Sequence, residues 1–459
     1  MSRFVRPSKY RHVYGTVARR ELSYDNVKVS GNAWDTNLIK VNPKFFSLNW
    51  NSSGGGAFAV IPLSMTGKIS DALPLYRGHS AAVLDTDFSP FNDYLIASGA
   101  EDSKVFIYTI PEELGEEDIE PVVRLTTHGR KVGQVLFNPV AENVLLSASA
   151  DLTMKLWDVE KGVEKQEITG HLEIIQSVAW NYNGTLVATT CRDKKVRVFD
   201  VRSNKIVSHG DSHGGIKGSR VVWMGDTNRL ATTGFSKMSD RQIYVWDANN
   251  LEKPLKMTNL DTSSGVVMPF YDGDSNMLYL AGKGDGNIRY FEYEHDELFV
   301  LSEYSSSTPQ RGVGFMPKRG LNVNDCEIAR AYKVSNGIVE PISFTVPRKS
   351  DSFQADLFPD CISDEAALTA DAWFAGESAN PKLISLEKGF TAAAKKEFVA
   401  SAGAQAAESN VVSVPKSDKD YQEAYHKLRQ ENDDLKNQLA QKDVKIRLLE
   451  VQLEQLTPA

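Results

Sequence analysis

Ser147-Ala-Ser-Ala-Asp-Leu-Thr-Met-Lys-Leu-Trp-Asp158 decides the reading of this chain. Small residues end one strand, an Asp sits in a tight turn, and a second strand closes on Trp157-Asp158. Met154 and Leu156 alternate with polar residues on that second strand, as a half-buried strand requires. Related stretches recur: Ser98…Asp102…Phe106-Ile-Tyr108, Thr190…Asp193…Val196-Arg-Val-Phe-Asp200, Asp240…Ile243-Tyr-Val-Trp-Asp247, and Gly284-Asp-Gly…Ile288-Arg-Tyr-Phe291. Asp102, Asp151, Asp193, Asp240 and Asp285 are 49, 42, 47 and 45 residues apart. A period in the forties with a Trp-Asp ending marks the four-stranded blades of a β-propeller.

A second repeat supports the first. His79, His128, His171 and His213 precede Asp102, Asp151, Asp193 and Asp240 by 23, 23, 22 and 27 residues. In a WD-repeat blade, His, Ser or Thr, Asp and Trp form a buried hydrogen-bonded chain that satisfies polar groups between blades. The unit with His128, Asp151 and Trp157 has every member, and the unit ending at Trp246 is expected to be complete too. Tyr108, Phe199 and Phe291 replace the Trp in the other units, which leaves those chains shorter. As metal ligands the histidines fail, because each recurs once per blade and so lies far from the rest.

The chain has 459 residues, enough for one large repeat domain with appendages. Net charge is −8, which argues against a generic nucleic-acid binder. Charge is unevenly placed, however: residues 1–50 carry nine Lys/Arg against three Asp/Glu. The stretch from Glu112 to Glu120 is acidic. Cys191, Cys326 and Cys361 are too few and too scattered for a disulfide framework or a zinc knuckle, which suits a reducing compartment. No apolar run reaches the ~18 residues of a membrane span, and no secretory signal opens the chain. A cytoplasmic protein is expected.

Taken in order, Tyr10-Arg-His-Val-Tyr14 reads as a first strand, of the kind that closes a propeller by joining its last blade. Residues 33–72 read as a degenerate first blade, with strands in Phe45–Trp50 and Ala57–Ile61 joined by a turn at Gly54-Gly-Gly56. Residues 73–302 hold the five clear units. Residues 303–346 add strands at Gly312–Phe315, Glu327–Tyr332 and Ile342–Val346. At about 45 residues per blade, residues 1–346 make close to seven blades. Gly282-Lys-Gly-Asp-Gly286 has a phosphate-loop look, but it occupies the Asp turn of its blade. No phosphate loop, nucleophile elbow or metal cluster supports an enzyme, and no cofactor is implied.

From Pro347 the repeats stop. Residues 347–390 keep Phe358, Trp373, Phe374 and Phe390, too many aromatics for a disordered tail, and read as an extension docked on the propeller. Residues 391–418 turn Ala/Ser/Lys-rich and read as a flexible linker. Residues 419–459 carry a 4-3 heptad pattern. Leu428, Leu435 and Leu449 fall at d; Asn432, Leu439, Ile446 and Leu453 fall at a. Glu431 with Lys436 and Lys445 with Glu450 make attractive pairs across a parallel interface. An α-helical coiled coil and a parallel homo-oligomer, trimer or dimer, are expected.

These parts together resemble the coronin family. The resemblance runs from Ser8 to about Phe390 and resumes in the coiled coil. It rests on Ser8-Lys-Tyr-Arg-His-Val13, Gly54-Gly-Gly-Ala-Phe58 with Pro62, Gly234-Phe-Ser-Lys237, Met268-Pro-Phe-Tyr-Asp272, Leu280-Ala-Gly-Lys-Gly-Asp285, Pro309-Gln-Arg-Gly312 and Pro347-Arg-Lys-Ser-Asp351. It implies an all-β seven-bladed propeller that binds filamentous actin, with the extension packed on its lower face. It further implies filament bundling through the coiled coil, restraint of the actin-related-protein branching complex, contact with cofilin, and residence in the cortical actin cytoskeleton. The basic residue that family members use for filament binding corresponds to Lys28; Arg6, Lys9, Lys40 and Lys44 are further basic candidates near the N-terminus. The family's trimer motif corresponds to Lys445, Ile446, Leu449 and Glu450, with Lys in place of Arg. Lys lacks the planar fork that grips a carboxylate with two hydrogen bonds, which leaves trimer and dimer open. The same basic region also suits a peripheral phosphoinositide membrane. The fold alone would equally serve an adaptor recruiting clients to a ubiquitin ligase or a trafficking complex.

Overall fold

Strands such as Val144–Ser149 and Leu95–Ala100 are buried along their whole length, because each lies inside a blade that is covered by a neighbour on both faces. Outer strands alternate instead, as Val163–Ile168 does, since one of their faces meets water. Seven such sheets, antiparallel but for one short parallel pairing of Tyr24-Asp25 with Gly67-Lys68, make up the ring in the computed structural model, which describes residues 6–32, 36–348 and 352–389, together with Arg429 and Lys436. Their inner strands are Ile39–Val41, Val83–Phe88, Val132–Phe137, Ile175–Trp180, Arg220–Trp223, Val267–Asp272 and Gly312–Phe315. We number the blades 1 to 7 in that order. Blade 1 is a three-stranded sheet to which Tyr76 adds a single antiparallel bridge at Phe58.

Tyr14–Val17 pairs with Ile342–Thr345 of blade 7, so the N-terminal segment supplies the outer strand of the last blade and removes a free edge. Tyr24-Asp25 extends that pairing along the same strand. The closing strand therefore starts where the expected one ends. Tyr10–Val13 is a tight turn, with the Val13 amide on the Tyr10 carbonyl at 3.1 Å. Tyr10 and Val13 are both buried beneath blades 6 and 7, and Tyr290 donates its hydroxyl to the Val13 carbonyl at 2.8 Å. Gly54, Gly55 and Gly56 all have positive φ, between 71° and 88°, as a turn requires.

An antiparallel blade puts its a–b and c–d turns at one end and its b–c turn and blade-to-blade crossover at the other. We call the first end the lower face and the second the upper. The chain leaves blade 7 at the lower face, and residues 352–389 pack there. Leu357, Phe358, Cys361 and Leu386 join the core of blades 6 and 7. Ala370 and Trp373, in the short helix Ala370–Phe374, join the core of blades 3 and 4. The coiled-coil positions Leu428, Asn432, Leu435, Leu439, Lys445, Ile446, Leu449, Glu450 and Leu453, and the linker, lie outside the described residues. Arg429 and Lys436, the two described residues of that segment, are helical and exposed.

Candidate protein-interaction face

The repeated histidines sit in the crossovers of the upper face, and the repeated aspartates in its b–c turns. In blade 3 the buried chain is complete. His128 Nδ1 donates to Asp151 at 2.8 Å, Ser147 donates to His128 Nε2 at 2.7 Å, and Trp157 Nε1 donates to Ser147 at 2.8 Å. In blade 2 His79 meets Asp102 at 3.0 Å and Ser98 at 2.7 Å, with Phe106 stacked on its ring.

Blades 4 and 5 depart from the pattern. His213 Nε2 meets Thr232 at 3.0 Å and Trp246 Nε1 donates to Thr232 at 2.8 Å, but Asp240 binds Ser236 instead of His213. The unit ending at Trp246 is thus incomplete, against expectation. The cause is legible in its longer His-to-Asp spacing, since the turn at Ser236–Asp240 closes on itself. In blade 4 Asp193 is taken by Arg197 at 2.5 Å, four residues on, and His171 keeps only Thr189 at 2.9 Å. Nδ1 of His171 and of His213 is buried without a partner among the described residues. Burial drives both imidazoles down to about 4.

This carries a prediction. In the fold His171 and His213 resist protonation that the unfolded chain accepts near 6.5. The unfolded state then binds more protons, so their contribution is full above about 6.5 and is lost as pH falls toward 4. Two imidazoles should remain neutral at pH 5 when ring resonances are followed by NMR, and stability in urea should fall across that window. Eight imidazoles all titrating near 6.5 would contradict this reading.

The structure does not gather the five basic candidates on one face. Lys28 lies in the crossover from blade 7 to blade 1, on the upper face, half-exposed and paired with Asp71 at 3.0 Å. Arg6 pairs with Glu292 and with Glu294 (2.6 Å) at the edge of blade 6 and covers Phe299. Lys9 donates to the Asp356 carbonyl of the extension. Lys44 lies in the lower a–b turn of blade 1, donating to Tyr94 at 2.9 Å. Lys40 is on an inner strand; its ammonium lies in the channel, 3.1 Å from Asp87 and beside Asp85. Of the five, only Lys28 is on the upper face.

The upper turns of blades 3, 4 and 5 hold a cationic surface that N-terminal charge counting misses. Arg130, Lys131, Arg192, Lys194, Lys217 and Lys237 are all exposed there. Among the described residues of those turns Glu173 is the one exposed acid; Asp151, Asp193 and Asp240 are drawn inward by the partners described above. Three large apolar side chains stand among these cations: Leu172 at 76% exposure, Ile216 at 87% and Met238 at 84%. Single exposed apolar residues are ordinary, but three on adjoining turns of one face, rimmed mainly by cations, have the composition of a protein-binding surface. Their signal in the sequence was position: each is a large apolar residue in a segment between strands, next to His171, near His213 or in the Asp240 turn.

Among the described residues no group of three or more His, Cys, Asp or Glu is placed to hold a metal ion, and no helix is long and apolar enough to cross a membrane.

Family models described as WD domain, G-beta repeat match residues 72–109, 119–158 and 162–200, and a type of WD40 repeat matches 339–381. A domain of unknown function (DUF1899) matches residues 3–68. The chain is similar to a coronin-like protein of Schizosaccharomyces pombe, 52% identical over 419 residues, covering 89% of this chain and 70% of that one. It is similar to coronin-A of Dictyostelium discoideum, 46% identical over 456 residues, covering 98% and 100%. Among solved structures it resembles the WD40 domain of Toxoplasma gondii coronin, with a TM-score of 0.78 and 32% identity, covering 82% of this chain and 97% of that one.

Proposed function

The chain belongs to the coronin family, and from that premise we propose that it is an actin-associated regulator whose propeller binds filaments through its upper face. One observation carries the choice of face: Leu172, Ile216 and Met238 stand exposed inside a ring of exposed Arg and Lys. Lys28 belongs to the same face. A cationic surface speeds and orients encounter with an acidic polymer, and the apolar centre supplies the contact that holds after encounter. The heptads of residues 419–459 join propellers into an oligomer, and several weak sites on one polymer then act as a strong one. That arrangement crosslinks filaments and brings the propeller near the branching complex and cofilin at the cell cortex.

The test is high-speed cosedimentation with filamentous actin, using full-length protein, residues 1–418, Lys28→Glu, and Lys131→Glu with Arg192→Glu. All four substituted or truncated sites are exposed or outside the propeller, so melting curves should not move. The double charge reversal is expected to weaken pelleting at least about tenfold, Lys28→Glu less, and binding should fall with added salt. The truncated chain should bind filaments but not bundle them. Wild-type pelleting by the double variant would remove the upper face from consideration. Bundling by residues 1–418 would refute the role given to the heptads.

A further inference from the structure

The inner strands of blades 4, 5 and 7 end, at the lower face, in Trp180, Trp223 and Phe315, and Phe270 stands two residues before the lower end of the blade 6 inner strand. Their spacings are 43, 47 and 45 residues, the period of the blades themselves. These four side chains wall a cavity of about 820 Å³ at the lower mouth of the channel, and Pro359–Ser363 of the extension closes one side of it. The volume is that of a ligand site.

Its charge is one-sided. Asp226, Asp274 and Asp360 line it, from the a–b turn of blade 5, the a–b turn of blade 6 and the extension. Lys318 and Arg319 line it as well, but both are engaged: Lys318 by Asp272 and Arg319 by Asp93 at 2.5 Å. Asp226, Asp274 and Asp360 have no ion-pair partner among the described residues. Burial, reinforced by the neighbouring Asp272, pushes the Asp274 carboxyl up to about 7, as expected of a carboxylate without its own cation. Tyr279 is a further wall residue, and its buried hydroxyl has no hydrogen-bond partner among the described residues. Such a group calls for an incoming polar atom.

Aromatic faces beside unpaired carboxylates suit a cation on an apolar carrier. The three carboxylates belong to three different elements around the rim, so one small ion does not meet them all, whereas an extended chain does. We propose that this cavity takes an arginine- or lysine-bearing, apolar-flanked segment of a partner protein, laid across the lower face. The surface is separate from the upper face assigned to filaments, so one propeller would hold both partners at once.

The probe is a fluorescein-labelled octapeptide of alternating Leu and Arg, titrated into full-length protein and read by anisotropy at 150 mM salt, roughly physiological. A Leu–Glu octapeptide is the charge-reversed control. Asp226→Asn with Asp360→Asn changes two exposed rim residues. Glu112→Gln with Glu116→Gln removes the same charge from the acidic loop of blade 2, outside the cavity. Saturable binding of the Leu–Arg peptide, at least tenfold weaker in the Asp226/Asp360 variant and unchanged in the Glu112/Glu116 variant, is the expected result. Equal weakening in both variants would reduce the effect to net charge and overturn the proposal. So would equal binding of the two peptides, an absence of saturation, or equal competition by free argininamide, which would make the site one for a small cation.

Discussion

Replacing Trp373 with Ala should cost about 3–5 kcal/mol, the range for deleting a large buried aromatic side chain. Trp373 is 0% exposed in the core of blades 3 and 4. Trp180 meets its ring edge-on at 6.1 Å, and the Arg202 guanidinium lies 5.3 Å from its centre. Its indole N–H donates to the Gly184 carbonyl at 3.0 Å. That carbonyl also accepts from Asn138 at 2.9 Å, so removing the indole leaves no orphaned acceptor. The cost is therefore the lost transfer energy and the cavity. Trp373→Phe keeps most of the apolar area and should lose clearly less. The effect on the extension should exceed the effect on the ring. Its other anchors, Leu357, Phe358 and Cys361, lie under blades 6 and 7, so the extension spans the lower face between blades that are not neighbours. Freed at one end, residues 359–389 should be cut by protease before the propeller is. Urea unfolding and timed proteolysis check both parts. A loss under about 1 kcal/mol with unchanged proteolysis would show that the docking rests elsewhere.

The ring was legible because its physics repeats. Every blade needs two strands apolar on both faces, five of the seven turn between them on a tight Asp, and the chain states that need at a period in the forties. The docked extension was legible for a simpler reason, since Trp373 and Phe358 have no other place to go. What failed was local. Tyr10 and Val13 look like two positions of a strand, yet their three-residue spacing is also that of a turn with both side chains on one side. Asp193 looks like the partner of His171 until Arg197 is counted, four residues on and stronger. The interaction face was less legible still. Cations on the upper face come from five separate turns, and the five basic candidates named within residues 1–50 are distributed by the fold among the upper face, the lower face and the channel. Only the ring brings Arg130, Arg192 and Lys237 to one side. The aromatic wall of the lower cavity did carry a sequence signal, a third repeat at the blade period. It is hidden because inner-strand aromatics pass for ordinary core.

Arg241→Met should cost about 3–5 kcal/mol, because it removes one partner of a buried ionic cluster and leaves the others charged. Blade 6 has an Asp turn at Asp285 but no histidine at the corresponding distance before it, where Thr262 and Ser263 stand. Arg241 of blade 5 fills that role from the side. Its side chain is 2% exposed and forks onto both oxygens of Asp261 at 2.6 Å while reaching Asp285 at 2.7 Å. Arg289 closes the cluster on Asp261 at 2.7 Å. A Cβ at Gly282 would run into the Asp285 carboxylate and the Arg241 guanidinium. Hence the glycine of Gly282-Lys-Gly-Asp-Gly286 answers to this joint between blades, and the run needs no phosphate to explain it. Burial raises the Asp261 carboxyl, but hydrogen bonds from Arg241 and the Ser263 amide, with the charges of Arg241 and Arg289, outweigh it and bring it down to about 2. A carboxyl depressed in the fold adds stability above its unfolded value near 3.9, and that stability is lost as pH falls through the folded value. Wild-type protein should therefore lose on the order of 2 kcal/mol from this group between about pH 4 and pH 2. The Met variant, starting lower at pH 7, should show a flatter acid limb over the same interval. Urea unfolding at pH 7, 4 and 2.5 measures both. If the variant matched wild type at pH 7, Arg289 alone would be holding the carboxylates, and the joint between blades 5 and 6 would rest on Met224, Val267 and Leu278 instead of on charge.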